Sequence, residues 1–134
     1  MEIKSFSKLS FFIPTCILEM FNTLMLQDTI TKLEDQIRSS PVIEEAKRTE
    51  LLSLLGTLKV EIGDLARTNQ EQAQSITSFT EVSAREAMRK KKDPQLISIS
   101  SKGLAASVRG FEGTHPRLVG VVNRISNALA NMGI

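Results

Sequence analysis

From Phe111 to Ile134 the chain reads FEGTHPRLVGVVNRISNALANMGI, which holds a start, a stripe and a stop for a single helix. Thr114 is placed to cap a helix beginning around His115 and Pro116, since a hydroxyl accepts an orphan backbone N–H and proline is tolerated in the first turn. Leu118, Val122, Ile125, Leu129 and Met132 then recur at spacings of four and three, the pattern of one apolar helix face. Gly133 suits a left-handed terminal residue, and Ile134 suits a Schellman end that folds back on Leu129. A helix with one apolar side needs other elements to cover it, so the rest of the chain is searched for matching stripes.

Those stripes are present and aliphatic. The chain lacks Trp and Tyr, and four of its six Phe fall within the first 21 residues, which leaves Leu, Ile, Val and Met to fill a core. Leu26, Ile30, Leu33 and Ile37 mark a helix from about Leu26, with Asp28 and Arg38 matching its dipole. Ser39-Ser40-Pro41 breaks it, with Ser40 as cap and Pro41 as first residue of the next helix. Leu51, Leu55, Leu58, Ile62 and Leu65 form that helix's stripe, widened by Leu54. Gly56 and Gly63 lie seven apart on another face, either a close contact or a weak exposed side.

Between Thr68 and Lys92 the pattern is diluted to Ala73, Ile76, Phe79 or Thr80, Ser83 and Ala87. Thr68-Asn69-Gln70-Glu71 is a possible capping box there, and a kink and a full turn both fit. Arg89-Lys90-Lys91-Lys92 reads as a basic helix terminus, and Asp93-Pro94 as a fresh cap. Leu96, Ile97, Leu104, Val108 and Phe111 give the next helix its apolar side, from Pro94 to about Gly110, flanked by small Gly103, Ala106, Ser107 and Gly110. A short connection then predicts an antiparallel hairpin with the last helix. The expected architecture is all-α: an antiparallel helical hairpin or bundle of four to five amphipathic helices with coiled-coil-like packing, formed by residues 26–134.

Residues 1–25 differ in character and are expected to be a leader or a poorly packed N-terminal segment. Lys4 and Lys8 before the apolar run from Leu9 to Leu18 outline a signal peptide, but Pro14 interrupts the run and no small-x-small cleavage site follows. The run is also shorter than the ~20 residues that span a bilayer. A dispensable leader, with Met25 as the natural start, stands beside an extra packing segment, an export signal and a surface membrane anchor.

Phe111, Glu112, His115, Pro116, Arg117 and Leu118 spell F-E-x-x-H-P-R-L, and the chain ends in A-L-A-N-M-G-I from Ala128 to Ile134. With the Leu-rich helix from Leu51 to Leu65, these residues resemble the bacterial family grouped as domain of unknown function 4404. The chain departs from the short members in its polar stretch around Thr68 to Lys92 and in the residues before Met25. That resemblance implies a helical fold in small bacterial proteins with no assigned activity, cofactor or partner.

A search for chemistry yields little. His115 is the single histidine and has no partner motif, so a cap or staple at a helix start is its expected role. Glu112-x-x-His115 has di-iron spacing, but such sites need it twice. One cysteine, Cys16, excludes an intrachain disulfide and a Cys-based metal cage, and fits a reducing compartment. No phosphate loop, nucleophile elbow or metalloprotease helix is present, and the net charge of +2 is too small to imply a polyanionic partner. No cofactor or metal is expected. The expected function is therefore non-enzymatic and cytoplasmic: self-association into a homo-oligomer, or association with another protein, through apolar helix faces. The alternative is weak binding of nucleic acid or an anionic surface through Arg89, Lys90, Lys91 and Lys92, although no aromatic residues interleave them for base stacking.

Overall fold

Leu51, Leu55, Leu58, Ile62 and Leu65 are all buried along one helix, and the neighbouring helices are arranged to cover that stripe. A computed structural model describes residues 15–132, in which five helices follow one another: α1 Thr15–Ser39, α2 Glu45–Ala66, α3 Gln70–Ala87, α4 Pro94–Ala106 and α5 Pro116–Asn131. Among the described residues there is no strand, and the protein is an all-α bundle. Helix α2 packs on α1, α3 and α5, while α3 packs on α1, α2, α4 and α5, so these two form the middle of the bundle. Helices α4 and α5 pack on each other, as their short connection requires.

The stripes enter the core as spaced. Leu26, Ile30, Leu33 and Ile37 come from α1, and Leu118, Val122, Ile125 and Leu129 from α5, joined by Val121 and Ala128. In the diluted region Thr80 takes the inward position, and Phe79 lies 42% exposed with its ring against Gly103 of α4. A β-carbon on Gly103 would stand 2.7 Å from that ring, so the small flank of α4 seats an aromatic edge. Leu96, expected on the inner face of α4, is exposed instead, and Ile97 carries the contact.

Where α3, α4 and α5 meet, the core is rich in hydroxyls. Thr77 and Thr80 donate to the carbonyls of Ala73 and Ile76 at 2.8 Å, and Ser107 donates to Leu104 at 2.6 Å. Bonded back to its own helix, a hydroxyl presents carbon to its neighbours without leaving a buried donor orphaned. Ser126 bridges helices, donating to the Ser101 carbonyl at 2.7 Å. Thr77, Thr80 and Ser107 enter the core in this way, whereas the buried Ser83 hydroxyl of the same stripe has no hydrogen-bond partner among the described residues.

Helix boundaries differ from the expectations in several places. Helix α1 does not begin at Leu26; it runs unbroken from Thr15, so the change of character at residue 25 falls inside a helix. Ser40 and Pro41 do not open α2. Ser40 Oγ instead accepts the Val42 N–H in a turn, and α2 starts at Glu45. The turn is held by Arg48, whose guanidinium donates to the carbonyls of Ile37, Arg38, Ser40 and Ile43 at 2.7, 2.9, 3.0 and 2.8 Å, which lets Ile43 reach the core. A cation there also faces the negative end of the α1 dipole. The junction after α2 is a full break, capped not by Thr68 but by Asn69, whose side chain accepts the Gln72 N–H at 3.1 Å. Helix α4 stops at Ala106, before Gly110, which adopts a left-handed φ of 91° in the turn that follows.

Candidate self-association surface

Helix α1 has two apolar stripes, one in each half, on opposite sides. At ~100° per residue Ile17, Phe21 and Leu24 share one side, and their direction is roughly 180° from that of Leu26, Ile30, Leu33 and Ile37. The second half turns its stripe to α2 and α3. The first half therefore turns its own stripe outward: Ile17, Leu18, Met20, Phe21, Leu24 and Met25 are all exposed, by 52% to 61%, and no residue from 15 to 25 is buried. Glu19 is the only charge in that half.

Contacts with α2 fix this orientation. Gln27 lies across α2 and donates its amide to the Lys59 carbonyl at 3.1 Å, and a β-carbon on Gly63 would meet the same amide at 2.6 Å. Gly63 thus provides the close helix contact, whereas Gly56 has open space where its β-carbon would be. Glu34, nearly buried, pairs with Lys59 along the same seam. A groove of about 630 Å³ lined by Cys16, Met20, Leu24, Val60, Gly63 and Arg67 opens beside it and extends the exposed surface toward α2.

The basic cluster is not a helix terminus. Helix α3 ends at Ala87, and Arg89 to Lys92 form the linker before α4. Arg89 pairs with Glu86 at 2.8 Å, and half-buried Lys92 donates to the Met132 carbonyl at 3.0 Å, satisfying the C-terminal end of α5. Lys90 and Lys91 are exposed. Two of the four cations are thus committed within the chain.

The residues of F-E-x-x-H-P-R-L build the α4–α5 turn from Phe111 to His115 and open α5 with Pro116, Arg117 and Leu118. Phe111 is half-buried on the core and meets the His115 ring edge-on, with centroids 5.8 Å apart. Glu112 accepts the Gly110 N–H at 2.8 Å, holding the left-handed residue in place. The His115 N–H donates to the Phe111 carbonyl at 2.7 Å, and its ring contacts the Thr114 hydroxyl at 3.0 Å. His115, not Thr114, is the N-cap of α5, with Pro116 as first residue. Among the described residues no three His, Cys, Asp or Glu side chains gather at metal-ligating range. Gly133 and Ile134, expected to close the core, lie outside the described residues.

A family model described as Domain of unknown function (DUF4404) matches residues 51–134, from the first buried leucine of α2 to the end of the chain. The chain belongs to the DUF4404 family. No curated protein and no solved structure matches it. The α4–α5 turn lies within the matched residues, and the outward stripe of α1 lies before them. The stripe was not among the expected site residues. Its signal is present in the sequence as a reversal of helical phase between Leu24 and Leu26.

Proposed function

We propose that this DUF4404 protein is a non-enzymatic self-association module whose α1 stripe meets a second copy in a coiled-coil-like contact. The observation that carries this reading is the exposed stripe itself. Six side chains of ~200 Å² each, a little over half exposed, leave roughly 600 Å² of apolar surface, at the upper end of what a monomer usually presents. Two such faces together bury about 1,200 Å², where stable specific interfaces begin. Charge favours a protein partner over an anionic membrane: among the described residues the first half of α1 carries one charge, acidic Glu19, and Arg67 in the adjoining groove is accompanied by Asp64, so the face lacks the cationic surplus that lipid headgroups would need. Among the described residues no helix is long and apolar enough to cross a membrane. A cytoplasmic setting is part of the proposal, supported by the single exposed thiol of Cys16.

Light scattering across a dilution series tests it. The wild-type mass should be that of a dimer or larger and fall toward the monomer on dilution, and Phe21→Glu with Leu24→Glu should be monomeric at every concentration. A wild-type chain that stays monomeric up to hundreds of micromolar would remove the reading. Were that monomer to bind DNA or RNA in a salt-sensitive way lost in Lys90→Gln/Lys91→Gln, the basic linker would take the stripe's place.

A further inference from the structure

We infer that the second copy binds in one orientation: two α1 helices pair antiparallel about a two-fold axis at Phe21, so that among the described residues of α1 the contact is between the first halves. This deepens the self-association reading and rests on it. The outward side of α1 is apolar only as far as Met25. On the same line farther along the helix lie Asp28 and Asp35, both exposed, with Lys32 beside them. Asp28 pairs with Lys32 at 3.2 Å and Asp35 with Arg38 at 2.9 Å, so the outward side of this half carries solvated ion pairs.

A parallel, in-register pair would lay that charged half on its own copy, and taking those ions out of water is unfavourable even when each keeps its intrahelical partner. An antiparallel pair centred on Phe21 places Ile17 near the partner's Leu24 and Met25, and Asp28 just past the partner's Thr15, the first described residue of α1. Room for the partner follows from the same phase reversal. The bundle of each copy lies on the side of α1 opposite the stripe, so the two bundles sit on opposite sides of the seam. The isologous arrangement also closes after two copies, because each stripe is used once.

Spin-label distances on the full chain separate the orientations, since the chain has one native cysteine, Cys16. Labels go at Cys16, and singly at Asp28→Cys and Asp35→Cys in a Cys16→Ser background, each checked for unchanged mass by light scattering. At 1.5 Å rise per residue the antiparallel pair separates the two residues 16 by ~15 Å along the axis, residues 28 by ~21 Å and residues 35 by ~42 Å. A parallel pair keeps residues 28 and 35 at a similar short separation, near the ~8–10 Å interaxial distance. A dimer giving equal short distances at 28 and 35 overturns the orientation while leaving self-association standing. A dimer with no short distance at Cys16 removes the α1 seam altogether, and a monomer by scattering removes the underlying reading.

Discussion

Residues 15–25 and 26–39 belong to one unbroken helix, and the half with more large hydrophobes is the half that stays out of the core. Six of the eleven residues in the first half are Ile, Leu, Met or Phe, all exposed. The second half buries Leu26, Ile30, Leu33 and Ile37 among fourteen residues and is otherwise largely polar. What separates them is phase. A side chain reaches the core only if its helical angle matches the direction in which α2 and α3 lie, and the first half is turned the other way. Apolar content thus measures how much surface seeks a partner, and phase decides whether that partner is in the same chain.

The sharpest way to break this comparison is truncation within each half. Ile30→Ala should lower stability by about 2–5 kcal/mol in a urea melt, the usual range for emptying a buried aliphatic site. A loss within experimental error there would mean that the second half does not anchor α1. Next in size is Arg48→Ala, which removes four charge-assisted bonds at the end of the buried half and should cost about 2 kcal/mol. Arg48→Lys should recover only part of it, because an ammonium lacks the fork that reaches both sides of the turn.

Two glycines probe the junction between the halves. Gly56→Ala has open space and should stabilise by about 1 kcal/mol through helix propensity. Gly63→Ala should gain less, since its methyl displaces the Gln27 amide from the Lys59 carbonyl. Equal gains in thermal melts would mean that Gln27 does not hold α1 against α2. Smallest is Phe21→Ala, expected within about 0.5 kcal/mol of wild type when both are dilute and monomeric. At high concentration the same substitution should abolish any rise of Tm with protein concentration, the mark of a native state stabilised by association.

Much of the bundle was legible because its signals are local. The stripes of α2 and α5 are spaced by fours and threes, and Asp93-Pro94 announces α4, where Asp93 accepts the Gln95 N–H at 3.0 Å. Whether Phe79 or Thr80 turned inward was not legible, since it depended on a glycine of α4 large enough in its absence of side chain to seat the ring. The cap of α2 was misplaced because Arg48 acts from beyond it, and Lys92 gave no sign of reaching Met132, forty residues away. The outward stripe of α1 is illegible for a different reason. A periodicity window straddling Met25 and Leu26 sums two stripes that point in opposite directions, and they cancel. The helix then shows little preference for any side, and its first half resembles a detached leader.

Arg48 has a consequence for how the protein opens. Its guanidinium grips carbonyls contributed by the last turn of α1 and by the turn that follows, while its backbone belongs to α2. These segments therefore separate together or stay closed, and their amides should exchange with deuterium as one cooperative unit. The amides of residues 15–25, which bury no side chain within the chain, should exchange on an independent and faster clock. Slowing that clock, without touching the other, is what a partner seated on the stripe would do.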